Sequence, residues 1–200
     1  FYARGSEGVG RLHCTGIVDK LADSVFVRVL ADRKAYHAER QTLKADRRYA
    51  FTVSLKPGLT HYSFEFGATA NGVDTILHEA SDLVCGDAYV ITGQSNALAT
   101  DWGPEKHEYT SEWIRSFGSN RGDGNVGWGA ATTRGEGVRE IGCWGMELAR
   151  NLVERHQVPI CIINGAVGGT LIEAHQRNDA SPTDTSTIYG RLLDRVQRAS

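Results

Sequence analysis

Two segments of the sequence combine residue types that suit acyl transfer. Residues 93–97 read Gly-Gln-Ser-Asn-Ala and follow the apolar run 88–92. Residues 164–170 read Asn-Gly-Ala-Val-Gly-Gly-Thr and follow the apolar run 158–163. Acyl transfer needs an atom that attacks the carbonyl carbon and hydrogen-bond donors aimed at the developing oxyanion. The serine hydroxyl and the glycine N–H groups are such an atom and such donors, since glycine has no Cβ that blocks a ligand.

Each segment also has an ordinary structural explanation when it is taken alone. A serine after a strand is more often a helix N-cap than a nucleophile, and a Gly-Gly pair is more often a plain turn. Their joint placement favours a functional role, because ligands of open parallel sheets bind at the carboxyl ends of the strands. The two segments together therefore indicate a nucleophile beside a pocket of backbone donors.

The first eighty residues have the pattern of short strands. Apolar or alternating runs occupy residues 24–30, 49–55 and 62–66. The pair Asn71-Gly72 is a hairpin turn signal. Strands that recur about every 8–12 residues are typical of an antiparallel sandwich. Residues 1–82 are therefore predicted to form a β-sandwich module.

The chain from residue 83 to residue 200 has the pattern of an α/β domain. The runs 88–92 and 158–163 predict buried parallel strands. The spacing of apolar residues predicts amphipathic helices over 141–156 and 187–198. A strand, helix, strand, helix order implies a right-handed parallel unit.

Composition and charge exclude several classes of protein. The chain has 200 residues, of which 40% are hydrophobic and 23% charged, and its net charge is −2. These values exclude a disordered chain, a coiled coil and a collagen-like repeat. The small net charge gives no indication of a nucleic-acid partner, and no apolar run approaches the roughly 20 residues that span a bilayer. We therefore expect neither a nucleic-acid nor a membrane partner.

The four cysteines give no indication of a metal site. Cys14, Cys85, Cys143 and Cys161 lie too far apart for a CxxC knuckle, and no histidine is placed at zinc-finger spacing. We expect buried thiols, with one disulfide between Cys143 and Cys161 as an open alternative. No metal and no organic cofactor is implied.

Residues 86–96 resemble the first block of the SGNH hydrolases, in their sialate O-acetylesterase and acetyl xylan esterase-like branch, whose signature is Gly-Gln-Ser-Asn after a strand. Residues 163–173 are similar to the second block of that branch, and residues 142–145 fit its connecting segment. The resemblance covers about residues 83–198. It implies a flavodoxin-like, three-layer SGNH domain, incomplete in this chain, that follows the β-sandwich module.

The resemblance also implies roles for individual residues. Ser95 would be the nucleophile, and the N–H groups of Ser95 and Gly169 would form the oxyanion hole. Gly168 is the second choice for that donor. Gln94 and Asn96 would lie in the substrate-binding site, where Asn96 would hold the turn rather than react.

The sequence departs from the family after the second block. The family completes its site with a third block and with an Asp-x-x-His block that supplies the base, and this chain contains neither. In the flavodoxin-like order the strand at 88–92 is central, yet this chain offers it one neighbour. An apolar central strand left as an edge is unfavourable. We therefore expect the remainder of the same polypeptide, or a second chain, to complete the domain and supply the base.

A second nucleophile motif competes with this interpretation. Residues 93–97 nearly match the G-x-S-x-G elbow of the α/β-hydrolases. That fold places several strands, helices and an HGGG-type loop before the serine, whereas antiparallel strands precede it here. The α/β-hydrolase interpretation is therefore second.

Residues 101–139 form a long predicted connection, rich in Gly and Trp, with little periodicity. Such a loop is usually either functional or disordered. We take Trp102 and Trp128 as candidates for substrate binding because flat aromatic faces suit sugar rings; packing within the loop is the alternative.

The family resemblance implies an O-acetylated sugar or glycan as substrate and hydrolysis through an acyl-enzyme. The expected location is secreted, periplasmic or lysosomal-like. The alternative function is a non-catalytic glycan-binding protein that has lost the catalytic base.

Overall fold

The alternating runs of the first half form strands in the computed structural model, which describes residues 1–18, 21–100, 109–119, 127–135 and 137–199. The chain divides into two units, Tyr2–Cys85 and Gly86–Ser200, and Phe1 belongs to the second. The predicted boundary lay between residues 82 and 83. Both boundaries fall within one continuous strand, Val73–Ile91.

The first unit consists of strands in two antiparallel sheets. The bounds are β1 Tyr2–Ala3, β2 Gly10–Ile17, β3 Ser24–Ala31, β4 Lys34–Thr42, β5 Arg48–Leu55, β6 Gly58–Ala70 and β7 Val73–Ile91. One sheet has the order β4-β3-β6-β7, and the other pairs β2 with β5. Buried side chains of both sheets, such as Val27 and Phe51, belong to one core. The unit therefore has the antiparallel two-sheet arrangement that the sequence predicts.

The second unit combines parallel strands with helices. The bounds are α1 Ser95–Leu98, β8 Ile114–Phe117, β9 Trp128–Ala130, α2 Cys143–His156, β10 Ile160–Asn164 and α3 Ile188–Ala199, with a 3-10 helix at Ile172–His175. Strand β10 pairs in parallel with the end of β7 on one side and with β8 on the other, and β9 extends the sheet antiparallel to β8. Helices α2 and α3 contact β10. The predicted parallel α/β pattern is confirmed.

The connection predicted over residues 101–139 was wrong where it left out two strands, β8 and β9. All four residues of β8 are buried, so this strand belongs to the sheet. It places β10 between two neighbours, and every residue of β10 is buried. Along β7, in contrast, Tyr89 is 38% exposed and Val90 is 52% exposed.

The cysteines are all free thiols, so the open alternative of a disulfide is not formed. Cys85 and Cys161 are buried, whereas Cys14 and Cys143 are half-buried. Burial raises the pKa of the Cys161 thiol to about 12. In the described residues, no helix has the length and apolar character needed to cross a membrane.

Candidate active site

The nucleophile candidate lies on a short turn that leaves β7. The carbonyl oxygen of Gln94 accepts hydrogen bonds from the N–H groups of Ala97 and Leu98, both at 2.9 Å. Ser95 is the first residue of α1 and is exposed to solvent. Helix α1 has four residues, which is a single turn rather than a long helix aimed at the serine. The hydrogen bonds of this short turn, rather than a long helix, therefore place the Ser95 hydroxyl.

The second loop follows β10 and is bonded to the first. The N–H of Gly165 donates to the carbonyl oxygen of Ile91 at 2.9 Å, and the N–H of Val167 donates to that of Gly93 at 3.0 Å. These bonds extend the parallel pairing of β7 and β10 beyond the ends of the strands. The two loops are therefore held side by side at the carboxyl edge of the sheet.

This arrangement brings Gly168 close to Ser95. A Cβ atom built on Gly168 would lie 4.0 Å from the Cβ of Ser95 and 3.9 Å from Cδ2 of Leu98. Gly169 has φ +72°, a backbone conformation that other residues rarely adopt. Within the described ranges, no acceptor pairs with the N–H groups of Ser95, Gly168 and Gly169. A hydroxyl and unoccupied backbone donors therefore share one exposed surface.

Asn164, the last residue of β10, joins the parts of this surface. Its fully buried side chain donates from Nδ2 to the carbonyl oxygens of Ala97 at 2.9 Å and Ile141 at 3.2 Å. Its Oδ1 accepts from the N–H of Ala166 at 2.9 Å. One amide thus bonds the Ser95 turn, the segment before α2 and the second loop.

A buried arginine also binds the main chain of Asn164. Arg195 of α3 donates from Nη1 to the carbonyl oxygen of Asn164 at 2.7 Å. Its Nε and Nη2 donate to the carbonyl oxygen of Phe117 at 3.0 and 2.7 Å. Because Asn164 ends β10 and Phe117 ends β8, one guanidinium holds the ends of two neighbouring strands together.

The amino terminus of α2 fixes the other side of the Ser95 turn. Gly142 has φ +76°, and a Cβ there would lie 2.2 Å from the carbonyl oxygen of Leu98. Glycine is therefore required where these two segments of the chain approach each other. The N–H of Cys143 donates to the carbonyl oxygen of Ala99 at 2.9 Å. Helix α2 therefore begins two residues later than the predicted start at residue 141.

The next residue of α2 also contacts the turn. The indole Nε1 of Trp144 donates to the carbonyl oxygen of Asn96 at 2.8 Å, and the side chain is 40% exposed. Trp144 is not among the predicted site residues, because its position fits the apolar stripe of an amphipathic helix. Its place in the segment 142–145, which resembles the family's connecting segment, was the available signal.

The other substrate-binding candidates have different positions. Gln94 and Asn96 are exposed beside Ser95, and Asn96 takes part in the turn through its main-chain carbonyl. Trp128 packs in the second unit, with its ring centroid 5.1 Å from Phe117 and 5.8 Å from Phe1. Trp102 lies outside the described residues.

The histidines and acidic groups show no metal centre in the part of the chain that is described: no cluster of three or more His, Cys, Asp and Glu side chains is arranged to hold an ion. In the same residues, no side chain hydrogen-bonds to the Ser95 hydroxyl.

Comparison with known proteins gives a distant likeness. No protein-family model matches the chain, and no curated protein matches it. A solved structure of a carbohydrate acetylesterase from Xanthomonas citri is similar with a TM-score of 0.50 and 18% identity, over 98% of this chain and 46% of that one. A structure of a protein from Arabidopsis thaliana is similar with a TM-score of 0.39 and 18% identity, over 56% of this chain and 50% of that one.

This chain spans 46% of the Xanthomonas citri protein. At this identity the likeness shows a shared fold: a mixed α/β chain, rich in strands, that is related in architecture to that protein.

Proposed function

We propose that this chain carries the nucleophile and the oxyanion hole of a serine esterase that removes O-acetyl groups from a carbohydrate. The assignment includes the SGNH hydrolase fold in its sialate O-acetylesterase and acetyl xylan esterase-like branch. The single observation that carries it is the approach of Gly168 to Ser95, with unoccupied N–H groups on both loops. The fold shared with a carbohydrate acetylesterase supports the same class of reaction.

The reaction proceeds in two halves. The hydroxyl oxygen of Ser95 attacks the acetyl carbonyl carbon while a base takes its proton, and the N–H groups of Ser95 and of Gly169 or Gly168 donate to the oxyanion. The tetrahedral intermediate expels the sugar oxygen, which receives that proton, and an acetyl-enzyme remains. Water then attacks the acyl carbon with the same base, releases acetate and restores the Ser95 hydroxyl.

The base comes from outside this segment in our proposal. It is supplied by the remainder of the same polypeptide or by a second chain. The exposure of Tyr89 and Val90 on β7 supports this, since an apolar strand gains stability when it is covered. The proposed substrate is an O-acetylated sugar or glycan, no cofactor takes part, and the proposed location is secreted, periplasmic or lysosomal-like.

Acetate release by the complete protein tests the proposal. The substrates are acetylated xylan and O-acetylated sialic acid, and the variants are Ser95→Ala and, as a matched control, Ser81→Ala on the exposed part of β7. We expect Ser81→Ala to retain the wild-type rate and Ser95→Ala to lose about a thousandfold or more, as for the removal of a catalytic nucleophile. Equal rates for wild type and Ser95→Ala would refute the role of Ser95.

A non-catalytic glycan-binding protein is the second candidate. The observation that favours it is the Ser95 hydroxyl, which in the described residues has no side-chain partner that could act as a base. Calorimetry with the same acetylated sugars separates the two functions. Binding without acetate release, in wild type and in Ser95→Ala alike, would replace the esterase with this candidate.

A further inference from the structure

The turn that carries Gly168 and Gly169 is closed by a side chain. Oγ1 of Thr170 donates to the carbonyl oxygen of Val167 at 2.6 Å. This bond bridges both glycines, so Gly168 and Gly169 lie within a hydrogen-bonded turn rather than in an open loop. The N–H of Val167 is bonded in turn to Gly93, in the segment that leads to the nucleophile.

The same hydroxyl contacts a histidine. Oγ1 of Thr170 lies 2.8 Å from Nε2 of His175. A hydroxyl has one proton to donate, and the bond to Val167 uses it. Nε2 of His175 must therefore carry a proton and donate it to Thr170, which assigns the tautomer from the hydrogen-bond network. With its proton and a lone pair both engaged, the Thr170 hydroxyl can no longer rotate freely.

His175 reaches Thr170 from the 3-10 helix Ile172–His175. His175 is half-buried, whereas the preceding Leu171 and Ile172 are 77% and 76% exposed. Hydrophobic burial alone favours the opposite arrangement, with the aliphatic side chains inside and the imidazole in water. Nδ1 of the same imidazole is buried and has no partner among the described residues, which adds a cost to this placement. The exposed aliphatic side chains and the unpaired Nδ1 both disfavour this placement of His175. Burial therefore does not explain its contact with Thr170, which points to a functional role.

We propose that His175 is a positioning residue: it fixes the Thr170 hydroxyl and thereby the turn of Gly168 and Gly169 that receives the oxyanion. The inference rests on the proposed function, because it concerns the donors of that reaction. His175 touches neither the substrate nor Ser95 in this role. It acts through Thr170, so its effect must disappear when the Thr170 hydroxyl is absent.

Steady-state acetate release by the complete protein provides the kinetic test. Thr170→Val and His175→Leu should each lower kcat about tenfold or more, with little change in KM; the loss should be smaller than the roughly hundred- to thousandfold loss on removing an oxyanion donor itself. Thr170→Ser keeps the hydroxyl and His175→Gln keeps a donor, so both should retain most of the rate. The double variant Thr170→Val/His175→Leu should be no slower than Thr170→Val alone, because both changes remove one interaction.

Amide hydrogen exchange tests the hydrogen bonds from His175 to Thr170 and from Thr170 to Val167 without catalysis. In the Ser95→Ala protein, the hydrogen-bonded amides of residues 165–167 should exchange faster after His175→Leu or Thr170→Val, and at the original rate after Thr170→Ser. The matched control is His156→Leu, which replaces an exposed histidine at the end of α2 and should change neither exchange nor rate.

The two readouts separate the inference from the proposed function. If wild type releases no acetate while exchange still depends on His175 and Thr170, the proposed esterase activity is wrong, but His175 and Thr170 still hold the turn of Gly168 and Gly169. Unchanged exchange in His175→Leu, or a kcat of His175→Leu equal to that of wild type, would overturn the positioning role. So would additive losses in the double variant.

Discussion

The side-chain amide of Asn164 donates to the main-chain carbonyl of Ala97 at 2.9 Å, two residues beyond Ser95. The nucleophile turn follows β7, and Asn164 is the last residue of the neighbouring strand β10. The turn that carries Ser95 is therefore held in part by a side chain that is 67 residues away from Ala97 in sequence. Such a bond ties the two halves of the proposed site together before any ligand is bound.

Replacing Asn164 should destabilise the protein. Asn164→Ala removes the partner of two carbonyl oxygens and one N–H, of which the carbonyl of Ile141 and the N–H of Ala166 are buried. Since an unsatisfied buried group costs about 1–3 kcal/mol, we expect a loss of about 3 kcal/mol or more in the free energy of unfolding, measured by urea denaturation. Asn151→Ala on the exposed face of α2 is the matched control and should change it by less than about 0.5 kcal/mol. Similar effects of both variants would contradict this role.

Lysine at position 195 should retain only part of the stability that the guanidinium of Arg195 provides. Its three donors reach the carbonyl oxygens of Phe117 and Asn164, and an ammonium on a flexible stem cannot match this planar geometry. We expect Arg195→Lys to lower the free energy of unfolding by about 2 kcal/mol and Arg195→Met by more, since hydrogen bonds to charged groups contribute about 1.5–3 kcal/mol each. Thermal denaturation measures the order of the three proteins. A lysine variant as stable as wild type would show that the fork geometry is unimportant.

The regular elements could be predicted because apolar spacing reports which face is buried. Strands β3, β5 and β6 and the two long helices follow directly from it, whereas β2 and β4 were not predicted. Strand β8 escaped detection because its middle residues, Arg115 and Ser116, are polar and yet buried, so its sequence shows no apolar run. Asn164 and Arg195 escaped for a related reason. A polar residue gains its role from carbonyl groups far away in sequence, and local patterns carry no information about those partners.

The sequence predicted only those site residues that directly follow the two parallel strands. The sequence placed Ser95 and the pair Gly168 and Gly169 after two parallel strands, and parallel strands end at one edge of a sheet. It did not show that the indole N–H of Trp144 is turned towards the Ser95 loop, because side-chain direction depends on how α2 packs.

Trp144 should influence the turn through its indole N–H. Trp144→Phe keeps an aromatic ring and removes the hydrogen bond to the carbonyl of Asn96, next to Ser95. We expect a loss of about 1 kcal/mol in the free energy of unfolding and a fall in kcat, with acetate release as the assay. Trp128→Phe, which retains an aromatic ring for packing against Phe117, should leave kcat unchanged. A raised KM in Trp128→Phe would support contact between Trp128 and the sugar, whereas an unchanged kcat in Trp144→Phe would contradict the role of its N–H.

The thiol of Cys161 should make the stability of the protein depend on alkaline pH. Burial raises its pKa from 9.0 to about 12, so as the pH rises through 9 the unfolded chain loses this proton while the folded chain keeps it. The folded state then binds more protons than the unfolded state, and its stability falls as pH rises, by up to about 1.4 kcal/mol per pH unit. Well below pH 9 both states hold the proton, and the contribution is constant.

Urea denaturation at several pH values from 8 to 10 measures this slope. Cys161→Ala removes the titrating group, so the decline should become shallower, whatever the change in absolute stability. Cys143→Ala retains Cys161 and should keep the wild-type slope, although it also removes a cysteine. Equal slopes in wild type and Cys161→Ala would show that another group causes the alkaline decline. A shallower slope in Cys161→Ala alone would identify the buried thiol behind the site, in β10, as the group whose proton the fold retains.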